Sequence, residues 1–205
     1  MSAAQAEFAG KGYDGARVEA IVARAKVSKN LVYYYFASKE QLYIRVLERI
    51  YETLRRRQDE LPLLGLDPVE AMTALCEKTF QVFVDEPDII TILNTENLHR
   101  GRHVKKSPII RLLYERLASS LSTILDQGVA AGVFRKDLDP VDLYISMSGL
   151  GYFYLSNKYT LSLIFDRDLK TSEYIEKRKD HIVDMVMRYV LVSNIDSPTK
   201  RKPEK

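Results

Sequence analysis

The sequence has little of what secreted or membrane-spanning proteins carry. It contains one cysteine, Cys76, so no disulfide can form within the chain, and the helical pattern around Cys76 predicts a small buried side chain. No run of 18 apolar residues is present, and the N-terminus lacks the basic start and apolar stretch of a secretory signal. We therefore expect a protein of the reducing cytoplasm with no membrane partner.

The residue patterns of catalytic sites are also scarce. The three histidines, His99, His103 and His181, do not have the spacing of metal ligands. No glycine-rich loop of the phosphate-binding kind occurs, because the closely spaced glycines fall at the end of one expected helix or inside another. These absences weigh against an enzyme, and they give no reason to expect a metal or a cofactor.

Apolar residues recur at helical spacing along almost the whole chain, and the alternation typical of strands is nearly absent. The pattern predicts an all-α fold of about nine helices. They are expected at 2–11, 18–25, 29–36, 39–61, 68–85, 89–99, 109–131, 141–165 and 173–192. Asp67-Pro68, Ser107-Pro108 and Asp139-Pro140 each combine a capping side chain with a proline at the first helical position.

The chain divides near residue 62. Two prolines and a glycine in LPLLGLDP, residues 61–68, mark a linker. It separates a small module, residues 1–52 with its last helix continuing to about 61, from a larger bundle, residues 62–195. The polar, basic segment 196–205 is expected to be a disordered tail.

Positive charge is concentrated in the small module. Residues 26–57 hold eight basic and three acidic side chains, whereas residues 62–205 hold 20 of each sign. A basic patch of this size fits nucleic acid, but it also fits a solvated helix face. Charge alone does not choose between them.

The second and third predicted helices are separated by only two or three residues, a spacing typical of a helix-turn-helix. In that motif the second helix enters the major groove of DNA. Three consecutive tyrosines, residues 33–35, cannot all be core, because adjacent helical positions face different sides. The expected core of the module is Val18, Ile21, Val22, Ala25, Val27 and Val32, with Phe36 holding the third helix in place. The alternative is that the aromatic stretch packs against the second domain.

The outward positions of the third helix carry the chemistry of DNA contacts. They are Lys29, Asn30, Leu31, Tyr34 and Tyr35, with Tyr33 at the edge of the module. Lysine, phenolic hydroxyls and the backbone at a helix N-terminus bind phosphate oxygens. An asparagine reads a base edge, and a leucine or a tyrosine ring packs on a thymine methyl.

The stretch GKGYDGARVEAIVARAKVSKNLVYYYFASKEQLYIRVL resembles the DNA-binding segment of the TetR/AcrR family of bacterial transcriptional regulators. The likeness covers about residues 4–52. It is carried by Gly12-Tyr13, Val18 with Ile21, Val27-Ser28, Tyr33 with Phe36, and Ser38-Lys39-Glu40, in order and at the family's spacing. The resemblance implies a TetR-like fold, with a helix-turn-helix head followed by a helical bundle.

The resemblance also implies which residues contact DNA: Arg17, Ser28, Lys29, Asn30, Leu31, Tyr33, Tyr34, Tyr35 and Lys39. Arg17 stands where the family often has a capping serine or threonine, so it keeps a phosphate contact but not the cap. Leu31 replaces a common hydroxyl residue, which makes the expected contact apolar. Family members usually carry a further helical turn and a basic arm before the position of Ala3 and Ala4, so we expect the start seen here to be either truncated or misplaced.

The function implied is a ligand-responsive repressor that binds a palindromic double-stranded DNA operator as a homodimer. Such regulators dimerise through their last two helices. The candidate interface residues are Leu143, Met147, Leu150, Gly151, Tyr154, Ile182, Met185, Val186 and Tyr189, and the alternative for each is the core of one subunit. A rival function is a helical protein-interaction module that does not bind DNA.

A small-molecule effector would bind inside the second domain. Polar residues interrupt the apolar sixth helix, and buried polar groups need partners. The candidates are Asn94, Glu96, Asn97, His99 and Arg100, followed by Tyr152, Asn157 and Tyr159. The alternative for each is a helix cap, a satisfied core group or a solvated face. The second half also resembles the sensor domain of regulators of pyrimidine use, without a residue set that assigns a ligand.

Overall fold

The computed structural model describes residues 1–59 and 65–192. Within them the chain forms nine α-helices and a short 3₁₀ segment, Val104–Lys106. The α-helices are α1 Ser2–Gly15, α2 Val18–Ala25, α3 Lys29–Phe36, α4 Lys39–Asp59, α5 Pro68–Asp85, α6 Pro87–Leu98, α7 Pro108–Ala130, α8 Pro140–Ile164 and α9 Ser172–Val190. The all-α prediction is confirmed, and the helix bounds agree closely.

The helices begin where capping side chains and prolines predict. The Asp67 carboxylate accepts a hydrogen bond from the Val69 N–H at 2.9 Å, and Asp139 accepts from Val141 and Asp142 at 2.8 Å. Each side chain satisfies backbone donors that a helix leaves unpaired at its N-terminus. Within the described residues, no helix is both long enough and apolar enough to cross a membrane.

The first helix was expected to end at residue 11, but α1 continues to Gly15 and Gly12 only interrupts it. Its φ of 66° and ψ of 177° are non-helical, and the backbone resumes a helical course as far as Gly15. A side chain at a positive φ is strained, so glycine suits this position. The Gly12 position lies against Thr95 of α6, and the kink turns the following residue, Tyr13, towards the same region.

α5 is the central helix of the bundle and packs against α4, α7, α8 and α9. Eight of its side chains are buried, including Cys76, whose thiol pKa is raised to about 12 by burial. Cys76 is therefore a core residue, as the pattern around it predicts. One hydrophobic cluster runs from Ala4 in α1 to Val190 in α9, so the head (α1–α3) and the bundle (α4–α9) share a continuous core.

Two predicted core positions of the head are exposed. Ala25 and Val27 are open to solvent, whereas Val18, Ile21 and Val32 are buried as expected. α2 ends at Ala25 and the chain turns at Lys26, which adopts the left-handed conformation, so nothing covers the residues on either side. The expected end of helix four near 61 and the predicted tail at 196–205 lie outside the described residues.

Gly128 marks a close approach between α7 and the turn that follows it. A Cβ atom at Gly128 would lie 1.9 Å from the Phe134 ring, and Phe134 is fully buried. We expect Gly128→Ala to lower the free energy of unfolding by about 1–3 kcal/mol, because the ring has no room to move. Urea denaturation followed by circular dichroism measures this.

Gly10→Ala is the matched control for that substitution. Gly10 also lies in a helix, but no atom lies within 4 Å of its added Cβ. Replacing it should raise the free energy of unfolding by about 0.5–1 kcal/mol through helix propensity. Equal effects of the two changes would contradict the steric role of Gly128.

Candidate nucleic-acid interface

α3 projects its aromatic side chains away from the protein. Its N-cap is Ser28, whose hydroxyl accepts a hydrogen bond from the Leu31 N–H at 3.2 Å. Val32 is buried against the head, which leaves Tyr34 81% exposed and Tyr35 69% exposed. The two exposed rings meet edge to face with centroids 5.2 Å apart. Large aromatic side chains exposed on a soluble protein mark a binding surface.

The first turn of α3 adds charge and polar groups to this surface. The Lys29 ammonium group lies 2.5 Å from the Glu19 carboxylate of α2 and 5.8 Å from the centroid of the Tyr33 ring. The hydrogen bond between Lys29 and Glu19 raises the pKa of the Lys29 ammonium group and lowers the pKa of the Glu19 carboxyl group. Asn30 beside them is exposed. A helix N-terminus with a lysine suits a phosphate, and the asparagine suits a base edge.

Lys39 and Arg17 flank α3 on neighbouring elements. The Lys39 ammonium donates to the Asp14 carbonyl at 3.3 Å and lies 4.9 Å from the Tyr13 ring centroid. Arg17 is exposed at the start of α2, and its side chain does not cap that helix. This matches the expectation that Arg17 offers a charge but no cap. The proposed DNA-contacting side chains are thus all at least partly accessible, with Lys39 the most covered.

The predicted dimer face contains residues that belong to the subunit's own core. The buried ones are Leu143, Met147, Gly151, Tyr154, Ile182 and Val186. These six side chains are buried within the subunit, which is the alternative that the sequence left open for each, and both α8 and α9 pack against α5. Leu143 and Val186 also line the groove described next. A Cβ on Gly151 would lie 2.9 Å from the Phe80 ring of α5, which shows how close the helices come.

A second apolar stripe lies on the opposite side of these two helices. Ile145 and Phe153, two turns apart on α8, are each 60% exposed. On α9, Met185 and Tyr189 are exposed one turn apart, and these two were among the predicted interface residues. The four side chains line a largely apolar groove together with Leu150, the third accessible predicted residue.

The predicted effector residues do not converge on one place. Asn94 of α6 donates to the Ser156 hydroxyl at 2.9 Å and accepts from the Tyr152 hydroxyl, so it bridges α6 to α8. The Asn97 and Asn157 amides instead donate to carbonyls one turn earlier in their own helices. These amides already have partners.

The remaining effector candidates lie elsewhere. His99 faces α1, where its Nε2 lies 3.6 Å from the Asp14 carboxylate, and Arg100 is exposed in the turn after α6. Glu96 is buried and accepts hydrogen bonds from the His103 and Val104 backbone N–H groups. It fixes that turn and does not face an open cavity.

A largely buried polar cluster that the sequence did not reveal lies between α4, α5, α7 and α8. Its members are Arg55, Gln58, Thr79, Tyr114 and Tyr144. Arg55 is the first of three consecutive arginines, a pattern that in sequence indicates a solvated face. Only its position on the inner side of α4 distinguishes it from its neighbours.

The comparisons with known proteins identify both halves of the chain. Bacterial regulatory proteins of the tetR family match residues 1–46, and the tetracyclin repressor-like C-terminal domain matches residues 68–186. The HTH-type transcriptional repressor NicS of Pseudomonas putida is 37% identical over 188 residues, which cover 92% of this chain and 89% of NicS.

Solved structures show the same architecture. SCO4942 from Streptomyces coelicolor is 26% identical and superimposes with a TM-score of 0.70 over 92% of this chain and 94% of its own. A transcriptional regulator from Saccharomonospora viridis in complex with choline is 22% identical, with a TM-score of 0.68 over 94% and 95% of the two chains.

The matched regions coincide with the structural parts described above. The first covers the head with the beginning of α4, and the second begins at the first residue of α5 and ends within α9. The exposed α3 lies within the first region. The chain therefore belongs to the TetR family of bacterial transcriptional regulators, which are DNA-binding proteins and not enzymes.

Proposed function

We propose that this protein is a cytoplasmic transcriptional repressor that binds a palindromic DNA operator as a homodimer and releases it when a small molecule binds. Residues 1–52 form the DNA-binding domain in this proposal, and residues 62–195 form the domain for ligand binding and dimerisation. The observation that carries it is the exposed face of α3 in a head of the TetR family, with Lys29 and Asn30 in the first turn of the helix and Tyr34 and Tyr35 in the second.

DNA recognition follows from the outward side chains of α3. Lys29 and the free N–H groups of the first turn approach phosphates, which position the helix. Asn30 then faces base edges, and Leu31 with the exposed tyrosine rings supplies apolar contact to thymine methyls. The remaining contacts are made to the DNA backbone at the edges of this surface, by Ser28, Tyr33, Lys39 and Arg17.

Dimerisation is proposed through the outer stripe of α8 and α9. One short helix reads only a few base pairs, so two copies related by a two-fold axis are needed for a palindrome. Ile145, Phe153, Met185 and Tyr189 form an apolar groove that is unsatisfied in one subunit. An apolar face of this kind is self-complementary when the two-fold axis passes through it.

Effector control is proposed because the bundle is larger than is needed to support the head and because it encloses buried polar groups. A protein of the same fold was solved in complex with choline, so this architecture accommodates a small molecule. An effector lowers operator affinity only by its differential affinity for the two conformations. NicS is named a repressor, and repression by this chain is proposed on that likeness.

The test of DNA binding is selection of genomic fragments by the purified protein, followed by titration of the enriched sequence. A dimer that contacts six or more phosphates should lose on the order of 10³-fold in affinity between 50 and 200 mM salt. Retention that does not depend on salt would instead favour a protein-interaction module. The enriched sequence should be a palindrome whose half-sites lie about one helical turn apart.

Tyr34→Ala should weaken operator binding by about tenfold, ~1.4 kcal/mol, because its exposed ring and hydroxyl are lost from the DNA surface. Fluorescence anisotropy with labelled operator measures the change. Tyr159→Ala is the control, since Tyr159 is an exposed tyrosine on α8. Equal losses for the two variants would remove Tyr34 from the interface.

Glu19→Gln should strengthen operator binding by about three- to tenfold, because it frees Lys29 and removes a carboxylate that repels phosphates. Glu173→Gln is the control: Glu173 makes a similar exposed pair with Lys177, at 2.6 Å, on α9. If affinity is unchanged by Glu19→Gln, Lys29 does not reach the DNA backbone.

Phe153→Asp should convert the dimer into monomers without unfolding the subunit, because it places a charge in the centre of the apolar groove. Sedimentation equilibrium reports the mass, and circular dichroism reports the fold. Leu98→Asp, at a leucine of α6 that is more exposed than Phe153, should leave the dimer intact. A Phe153→Asp dimer of unchanged affinity would exclude the outer stripe as the interface.

A further inference from the structure

Arg55 is a buried cation without a counter-charge. The residue is 3% exposed, and its guanidinium carbon lies 4.7 Å from the Tyr114 ring centroid and 5.2 Å from that of Tyr144. Its Nη2 donates to the Tyr144 hydroxyl at 2.8 Å. Its Nε and Nη1 are buried and have no hydrogen-bond partner, and no carboxylate of the described residues pairs with it.

Such an arrangement lowers the stability of the folded protein. Arginine keeps its charge at any pH a protein tolerates, so it cannot neutralise itself when buried. Two aromatic faces offset part of the lost hydration, but an acidic partner normally supplies the rest. The Nε and Nη1 groups of Arg55 are thus left without an acceptor among the described residues.

Gln58 adds an unused acceptor close to these donors. It lies three residues after Arg55, on the same side of α4, and its Nε2 donates to the Thr79 hydroxyl at 2.8 Å. Its Oε1 is buried without a donor. The cluster therefore lacks both an anionic acceptor and a hydrogen-bond donor.

A surface cavity adjoins this cluster, with which it shares Tyr114. It has a volume of about 580 Å³, and its walls include Tyr51 and Tyr114, so the Tyr114 ring separates it from Arg55. Burial raises the pKa of the Tyr51 hydroxyl to about 12, which keeps it neutral. A volume of this size suits a small organic molecule.

The mouth of the cavity is positively charged. Lys105, Lys106 and Arg111 line it, at the end of the 3₁₀ segment and the first turn of α7. Lys106 pairs with Glu40 and Arg111 with Glu115, so among the described residues Lys105 is the lining cation with no acidic partner. A cationic rim raises the local concentration of anions and favours their entry.

We propose that Arg55 anchors the effector and that the effector is a small organic carboxylate. Its acid group accepts from Nε or Nη1 of Arg55 and from the second N–H of the neighbouring Nη2, whose first N–H donates to Tyr144. Two adjacent guanidinium donors of this kind form a fork that matches the two oxygens of a carboxylate. Its apolar body packs among Tyr51, Tyr114 and Tyr144, which requires the Tyr114 ring to turn aside. A phosphate is a poorer match, because its second charge finds no second buried cation in this cluster.

The inference rests on the proposed ligand-responsive function and gives it a route to the DNA. Arg55 lies on α4, the helix whose N-terminal half packs against the head through Leu42 and Tyr43. A carboxylate bound at Arg55 prefers the arrangement of α4, α7 and α8 that completes its contacts. Any shift of α4 that this preference favours is transmitted to the base of α3.

The test uses the full chain and three probe acids, benzoate, phenylacetate and hexanoate, each compared with its neutral amide. Calorimetry and thermal unfolding report binding, and anisotropy with labelled operator reports release of DNA. At least one acid should bind ten or more times tighter than its amide and release the operator. If none of the three acids binds better than its amide, the proposal is overturned.

Arg55→Met is the decisive variant, and Arg49→Met, at an exposed arginine of the same helix, is its control. Arg55→Met should lose the preference for acid over amide and keep a melting temperature equal to or above that of the natural chain, because an unpaired buried charge is gone. A fall in the melting temperature with an unchanged preference would show that the guanidinium is only structural and would overturn the proposal.

If Arg55→Met does not fold, Arg55→Lys is used as the test of the carboxylate site. It keeps the charge and loses the two-donor fork, so the preference for acid over amide should fall at least tenfold; an unchanged preference overturns the proposal. Failure of the proposed function is recognised separately. A natural chain that binds the acids but no operator contradicts the repressor and leaves the carboxylate site standing.

Discussion

A buried carboxylate, Glu96, ties the recognition head to the rest of the molecule. It accepts hydrogen bonds from the His103 and Val104 N–H groups at 2.6 and 3.0 Å, and from the His103 ring Nδ1 at 2.7 Å. These bonds close the turn after α6 and orient the His103 ring. That ring then packs against Tyr13 of α1 and Tyr43 of α4, with centroids 4.4 and 4.8 Å apart. A charge-assisted bond inside an aromatic shell is strong because water is excluded from it.

This junction holds α1 and the start of α4 more firmly than it holds α3. α1 and the start of α4 are held at this junction, because the rings of Phe8, Tyr13 and Tyr43 contact one another and the two tyrosine rings contact His103. α3 has no contact of this kind; only Val32 among its residues is buried. The face of α3 opposite Val32 therefore remains accessible, and the helices behind it connect the head to the bundle. Rigid support behind an accessible helix is what a sequence-reading surface requires.

The last two helices of the bundle, α8 and α9, differ between their inner and outer sides. The inner side of α8 and α9 closes on α5, at distances that only a glycine permits at position 151. The outer side of the same two helices carries an apolar groove, which is lined by the exposed Phe153 and Met185. Between α4, α7 and α8, by contrast, the core admits a guanidinium with tyrosines around it. The proposed partner subunit and the proposed small molecule thus have separate places, each defined by groups that lack partners among the described residues.

The sequence alone determined the helices, the family and the exposed face of α3. Helical spacing, the Asp-Pro and Ser-Pro starts and the tyrosine run all act over one or two turns, so local chemistry decides them. It did not determine which stripe of α8 faces inward, because Met147 and Phe153 lie on two stripes that are both apolar. Nor did it separate Arg55 from the two arginines that follow it. Burial of a side chain depends on helices distant in sequence, and only the tertiary structure brings those helices together.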